Sequence, residues 1–412
     1  MNKSVQRFFK IYPWYAGFTG DLLFYIAIDT LFLTIVKEFS PAQIVSLNSL
    51  SLLICIGLQF PILFIIKKIG NTASVRTGAF LLLLSAVVIT LGKSYYVVLL
   101  GRIFHDAAAI FHSASIVALE NNLEMADQKK KFVRLRTAAN TVYSVITMLI
   151  AFVASYMFNL DHYLPMFGCI TTCAIGFLLS LLMKDCSDFN KISVKKVEKS
   201  AQKIRFDKIL ILSLVTYAIF YPLVNNGQSE GKLFIQQHIL LEYDVEKTAL
   251  ILGAVICVSR VVRVFSNVVF ERVYKRFKSK MGIILPILLC ISIGSLLFGS
   301  FIPQMLLKLI VMAFGYTILL FVRDPFRLCI QDVVLENSPK EQHQTLLTTL
   351  EFGVKVAGAA MGLGFSAILV GYPMILVISL MFAITLVEIL LCAGLVHAVT
   401  RGKKKENADL PN

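Results

Sequence analysis

Apolar runs long enough to cross a bilayer alternate along this chain with short polar breaks. Runs begin near Trp14, Gln43, Val75, Tyr95, Ala138 and Tyr163, then near Ile209, Lys247, Met281, Gln304, Leu346 and Pro373. A hydrocarbon core about 30 Å thick needs about 20 apolar residues in helical form. The pattern therefore predicts an all-α polytopic membrane protein with twelve transmembrane helices, here spans 1 to 12. The breaks carry turn residues, such as Ser40-Pro41, Gly70-Asn71 and Gly371-Tyr372-Pro373. Six runs precede the one long polar connection and six follow it. The expected organisation is a bundle over 1–183, a basic linker over 184–208, a second bundle over 209–400 and a tail over 401–412.

Composition agrees with the pattern. Hydrophobic residues make up 57% of the chain and charged residues 16%, against about 45–50% and 25% for a soluble domain. The formal net charge is +15, from 40 Lys and Arg against 25 Asp and Glu. On a soluble protein that excess would suggest nucleic acid. Here the basic residues lie between apolar runs, so a lipid bilayer is the expected partner and nucleic acid is not. With the N-terminus placed inside, inner segments hold 29 of the 40 basic residues and outer segments hold 4. The positive-inside rule then puts both termini in the cytoplasm and the protein in the cytoplasmic membrane. Val194, Val197, Ala201 and Ile204 follow helical spacing among the linker lysines, which suits a helix lying on the inner membrane surface.

Other signals exclude more than they assign. Lys3, Arg7 and Lys10 before an apolar run mimic a signal peptide, but that run reaches Val36 and contains two aspartates, so a retained helix is expected. Seven of the eight cysteines lie in apolar runs and Cys186 in the basic loop, which indicates no disulfide framework. Cys169 and Cys173 share a helical face and read as small buried residues rather than a metal pair. Gly362-Leu363-Gly364 sits within span 11, and no Walker lysine motif is present. The chain is expected to need no cofactor or metal and not to be an enzyme.

Six plus six helices, a basic central loop and both ends inside resemble the major facilitator superfamily. The short basic loop after span 2, Lys67-Lys68-Ile69-Gly70-Asn71, is similar to the family's loop, and Lys275-Arg276-Phe277-Lys278 echoes it after span 8. The family pattern there is Gly, three residues, Asp-Arg, one residue, then Gly. Lys68 and Gly70 match it, while Leu63 and Lys67 stand where the pattern has its first glycine and its aspartate. Gly101-Arg102 in span 4 resembles the family's intramembrane arginine motif. The proline-glycine antiporter motif is absent from Ser144–Tyr156, which argues against a drug–proton antiporter. The resemblance implies the superfamily's two pseudo-symmetric bundles, with spans 1, 4, 7 and 10 lining a central cavity.

Charges inside spans are the candidate chemistry, because each costs about 2.5–3.5 kcal/mol to insert and so faces a bundle interior or a wet cavity. Asp29 and Arg102 lie at similar depths of roughly 10 Å and are candidate partners. Asp21, Tyr25 and Asp29 share an arc of span 1, and Arg102, His105, Asp106 and His112 share one of span 4. Histidine beside carboxylates can carry a coupled proton near neutral pH; static ion pairs and helix–helix hydrogen bonds are the structural alternatives. Asp21, Asp29, Arg102, His105, Asp106 and His112 are the coupling candidates.

Substrate candidates are Tyr25, the deep Arg260 and Arg263 of span 8, and Asn225, Asn226 and Gln228. The last three follow Pro222 in span 7, a stretch that reads either as a discontinuous binding helix or as a hinge. Arginine forks match carboxylate and phosphate groups. Arg323, Arg327, Glu351 and Lys355 are expected to form a closing network near the inner ends of spans 10 and 11. With Lys67, Lys68 and Gly70 they are the gating candidates. The functional expectation is a monomeric secondary transporter that moves a small organic solute by alternating access, coupled to protons. The alternatives are an exporter of amphiphilic drugs or lipids, and a non-transporting membrane sensor on the same body.

Overall fold

The computed structural model describes residues 3–186, 208–339 and 343–408, and every regular element among them is a helix. The expected linker helix lies outside the described residues. In chain order the α-helices are α1 Lys3–Thr19, α2 Leu23–Leu31, α3 Pro41–Leu91, α4 Tyr95–Met125, α5 Phe132–Leu160 and α6 Leu164–Leu182. They are followed by α7 Lys208–Leu240, α8 Val245–Gly299, α9 Met305–Glu336, α10 His343–Gly371 and α11 Met374–Ala408. The chain forms two compact units, 1–200 with 249–257, and 201–248 with 258–412.

Among the described residues, ten segments are long and apolar enough to cross a membrane. One of them, α3, has 51 residues, about 76 Å at 1.5 Å per residue, which is enough for two crossings. It turns at Gly70, whose φ of 82° and ψ of 168° lie outside the helical region. Only glycine adopts such a conformation without a steric penalty. Spans 2 and 3 are thus the two arms of α3. Span 9 is the apolar Lys280–Gly299 end of α8, and a total of twelve crossings is compatible with these lengths. Ser40 starts α3 with a reciprocal cap: its hydroxyl accepts from the Gln43 backbone while the Gln43 side chain accepts from the Ser40 backbone. Asp244 caps α8 in the same sense, and the backbone N–H of Lys247 lowers the pKa of its exposed carboxyl.

In the first unit, Phe8, Tyr12 and Tyr15 of α1 pack with Val75 and Ala79 of α3 and Ala114 and Ala118 of α4. Small residues let these helices approach closely. A Cβ at Gly78 would lie 2.9 Å from the Phe111 Cβ, and one at Gly101 would lie 2.6 Å from Ile89.

Span 1 differs from expectation at both ends and in the middle. It begins at Lys3 rather than near Trp14, is broken at Gly20–Leu22, and ends in a π-helical turn over Phe32–Val36. Gly20 permits the break because it packs on the ring of Tyr143, 2.7 Å from where a Cβ would stand. Asp21 then completes it, its Oδ1 accepting from the Leu22 backbone at 2.8 Å.

Span 7 differs in the opposite sense. The stretch after Pro222, which reads as a discontinuous helix or as a hinge, is continuous helix, and α7 runs unbroken from Lys208 to Leu240. Close packing surrounds this continuous stretch. Phe220 stacks on Phe326 of α9 with ring centroids 3.5 Å apart. Gly227 admits Leu319 and Met381, and Gly231 admits Leu296, so these glycines serve close approach rather than bending.

The π turn delivers Lys37 to a buried position beside the end of α3. Its ammonium donates to the Thr90 carbonyl at 2.8 Å and lies over the rings of Phe32 and Tyr163, at 4.9 and 5.5 Å from their centroids. Burial and then the nearby Lys93 lower its pKa, so the bond and the rings oppose a real cost. Lys37→Ala is expected to destabilise the purified protein by about 1–3 kcal/mol. Lys37→Met keeps the stem and should lose less. Thermal unfolding in detergent checks both, and equal melting temperatures for Lys37→Ala and wild type would remove the clip.

Candidate functional site

The break in span 1 sets the geometry of the first unit's polar centre. The helix stops at Thr19 and restarts at Leu23, which leaves Asp21 beside α4. There His105 lies between two carboxylates. Its Nε2 is 2.8 Å from Asp21 Oδ1 and its Nδ1 is 3.0 Å from Asp106 Oδ1. Ser51 of α3 donates to the other Asp106 oxygen at 2.7 Å. An ionised carboxylate only accepts, so both bonds to the ring require both nitrogens to carry hydrogen. A neutral imidazole can keep one of the two. Loss of one proton at His105 therefore leaves one of two bonds, the one to Asp21 that joins α4 to the break in span 1 or the one to Asp106 within α4.

The other span 1 and span 4 candidates gather around this centre. The Arg102 guanidinium lies over the Tyr25 ring at 5.9 Å, and its buried Nε has no hydrogen-bond partner. Asp29 Oδ1 accepts from the Thr30 backbone at 2.7 Å. The carboxylate that reaches the histidine is Asp21, eight residues earlier. His112 stacks on Tyr15 with centroids 5.4 Å apart, its Nδ1 being 3.4 Å from both the Tyr15 and Thr19 hydroxyls. A cavity of about 80 Å³ opens between α1, α3 and α4, lined by Tyr15, Thr19, Asp21, His105 and His112 with small residues between. It is well above the roughly 15 Å³ needed to hold a water. Ser51, Tyr15 and Thr19 are absent from the sequence-based candidates. A hydroxyl within an apolar run gives no signal until its neighbour across the helix interface is known.

The second unit holds a separate polar group on one side of α7. Arg323 of α9 donates through Nε to the Tyr221 hydroxyl at 3.3 Å and through Nη1 to Gln228 Oε1 at 3.4 Å, with its guanidinium over the Tyr221 ring. One turn away the Tyr217 hydroxyl donates to Glu351 at 3.2 Å. The substrate candidate Gln228 and the gating candidate Arg323 thus share one contact. Buried atoms of Asn226, Gln228, Glu230 and Gln236, all on α7, have no hydrogen-bond partner. Asn225, Arg327 and Lys355 are half-buried, while Lys67 and Lys68 are exposed beside the Gly70 turn. Among the described residues, no group of three or more His, Cys, Asp or Glu is placed to hold a metal ion.

The two span 8 arginines have different surroundings. Arg260 is half-buried. Arg263 is not an unpaired charge awaiting an anion: its Nε and Nη2 both lie 3.0 Å from Asp324 Oδ2. Asp324 adjoins Arg323 on α9, and its carboxylate offsets a charge that is costly to bury alone. Arg263→Ala is expected to lower apo stability by about 3–5 kcal/mol by stranding Asp324. Replacing both residues with leucine should recover most of that loss. If Arg263→Ala melts like wild type without ligand, the pair has no structural role and Arg263 returns as an anion-binding candidate.

The sequence profile described as Major Facilitator Superfamily matches residues 14–360. No curated protein sequence matches the chain. Among solved structures, a mutant of the nucleoside transporter NupG superposes with a TM-score of 0.76 at 9% identity, covering 95% of this chain and 100% of that one. A bacterial homologue of the iron transporter ferroportin gives 0.63 at 11% identity, covering 96% and 100%. A bacterial metal transporter gives 0.64 at 11%, covering 96% and 99%. At these identities the likeness is one of fold.

Proposed function

The chain belongs to the Major Facilitator Superfamily and is a multi-pass membrane transporter, and from that premise we propose that it is a secondary transporter driven by protons exchanged at Asp21, His105 and Asp106. The observation that carries this reading is the α4 imidazole held between two carboxylates beside the break in span 1. A proton arriving at His105 completes both contacts and ties α4 to the break, and one leaving frees one of them. Arg102 and Asp29 set the charge around the exchange, and His112 is its neighbour across the small cavity. Alternating access then follows from two arrangements of the first unit's helices that differ in one proton.

The solute itself is placed on the second unit, where α7 carries donors and acceptors that its own neighbours leave unmatched. Tyr221, Gln228 and Arg323 offer a phenol, an amide and a guanidinium in one contact group, suited to a small organic solute with a polar or anionic end. Arg260 remains a candidate for the same role. The solved neighbours of this fold include a nucleoside transporter and a metal transporter, so fold alone does not choose the cargo. Export of amphiphilic drugs or lipids and a non-transporting sensor are the competing readings. The absence of glycine and proline from Ser144–Tyr156 speaks against drug export.

The deciding experiment uses purified protein in proteoliposomes and a solute chosen by thermal-shift screening at two pH values. Asp21→Asn and His105→Gln should each abolish accumulation driven by a pH gradient while solute exchange at equal pH persists. A variant that still concentrates solute with normal pH dependence removes that residue from the coupling site.

Orientation is read from the positive-inside bias, which places both termini in the cytoplasm and the turn before Asp244 outside. In a cysteine-free background, a cysteine at Glu242 should react with an impermeant thiol reagent on intact cells, and one at Lys403 should not. Labelling at Lys403 alone would reverse the topology.

A further inference from the structure

A second buried polar cluster lies where the chain leaves α6, away from the His105 centre. Asp185 is 1% exposed, and the amides of Asn71 and Asn121 both donate to its Oδ2, at 2.8 and 2.9 Å. The Asp185 backbone N–H donates to the Thr72 hydroxyl at 2.9 Å. Asn122 of α4 secures the residues on either side: its amide donates to the Lys184 carbonyl at 3.0 Å and its carbonyl accepts from the Cys186 backbone at 3.1 Å. Four described hydrogen bonds thus tie three consecutive residues after α6 to α4 and to the turn of α3, besides the one from Asn121 that brings in α4 a second time.

The position of this cluster gives it meaning. Asn71 and Thr72 directly follow Gly70, the residue whose positive φ turns α3 between its two crossings. That turn is the loop in which Lys67 stands where the family pattern has an aspartate. Lys67 is exposed, so no buried carboxylate reaches the turn from its own loop at that position. The carboxylate that does reach it comes from Asp185, and two amides on one ionised oxygen make stronger bonds than neutral pairs would. Arg76, one helical turn beyond Thr72, adds a bond from its guanidinium to the Leu181 carbonyl at 3.4 Å, a cation at the C-terminal end of α6.

We propose that Asp185 is the positioning carboxylate of the Gly70 turn, supplied from the exit of α6 in place of the aspartate that Lys67 replaces. It joins the α3 turn, the end of α4 and the exit of α6 into one block. This goes beyond the proton-exchange reading, and only the further statement that the block moves as a unit during transport rests on that reading.

The chain carries its own reporter in the half-buried Cys186 thiol beside Asp185. Full-length protein in detergent is labelled with N-ethylmaleimide, and the rate at each cysteine is read by peptide mass mapping. Backbone hydrogen exchange over residues 70–76 is followed in the same samples. Asp185→Ala should raise the Cys186 rate about tenfold, as expected for losing two bonds to a charged acceptor. Asp185→Asn, which keeps an acceptor without the charge, should raise it less. Exchange over 70–76 should rise in the same order although no residue there is changed, while the buried Cys173 of α6 should keep its wild-type rate. If Asp185→Ala yields no folded protein, the Asn71→Ala/Asn121→Ala double variant removes the same two bonds. An unchanged Cys186 rate overturns the proposal. So does a released Cys186 with unchanged exchange over 70–76, since the block would then not exist, and so does a parallel rise at Cys173, which would make Asp185 a general stabiliser of the unit. Neither readout needs a solute or a proton gradient, so failure here leaves the transport reading to its own test.

Discussion

Hydrocarbon offers no partner to a charge, and that single constraint arranges the polar residues of this protein. An ionised group in a span must meet another group, an aromatic face or a cavity. Asp21 and Asp106 meet His105, Arg263 meets Asp324, and Arg102 and Arg323 lie over tyrosine rings. All but the His105–Asp106 contact within α4 link segments that are distant in sequence. The apolar faces need only be apolar to sit in lipid, so the polar contacts are where one helix can specify its neighbour. The acid–histidine centre does this for spans 1 and 4, and the arginine–aspartate pair does it for α8 and α9.

The same constraint explains why spans could be read from the sequence and their interruptions could not. Apolar length is a local property, so the alternation of runs and breaks found the helices and the Gly70 turn. Whether a helix stays continuous depends on what packs beside it. Pro222 and two glycines mark α7 as breakable, yet the stacked Phe220 and Phe326 and the side chains filling Gly227 and Gly231 keep it helical. Span 1 has only Gly20 at its break. The Tyr143 ring beside that glycine, more than a hundred residues away in the chain, has no signature in the local sequence.

Candidate chemistry was legible to a similar extent. Intramembrane charges were identified by type, because an Asp or His within an apolar run stands out against its surroundings. Their partners were not, since depth along a helix leaves rotation and register open. Depth pairs Asp29 with Arg102 but gives no hint that the break brings Asp21 to His105. Nothing in the sequence pairs Arg263 with Asp324, which lies on another helix. The cluster around Asp185 left the faintest trace, because asparagines at helix ends read as ordinary turn residues.

The buried polar stretch of α7 has a consequence for how the protein is made. Asn226, Gln228, Glu230, Lys232 and Gln236 fall within eleven positions of one span, and Glu230, Lys232 and Gln236 are buried in the finished unit. A charged residue in a lone helix opposes its release from the insertion machinery into lipid, by up to about 2.5–3.5 kcal/mol at the helix centre and less toward the C-terminal end where Glu230 and Lys232 lie. The groups that shelter this stretch belong to α9, α10 and α11, which leave the ribosome later. Span 7 is therefore expected to linger at the translocon, or to sit poorly in the bilayer, until those helices arrive. The second unit would then close around α7 only once those later helices are in place.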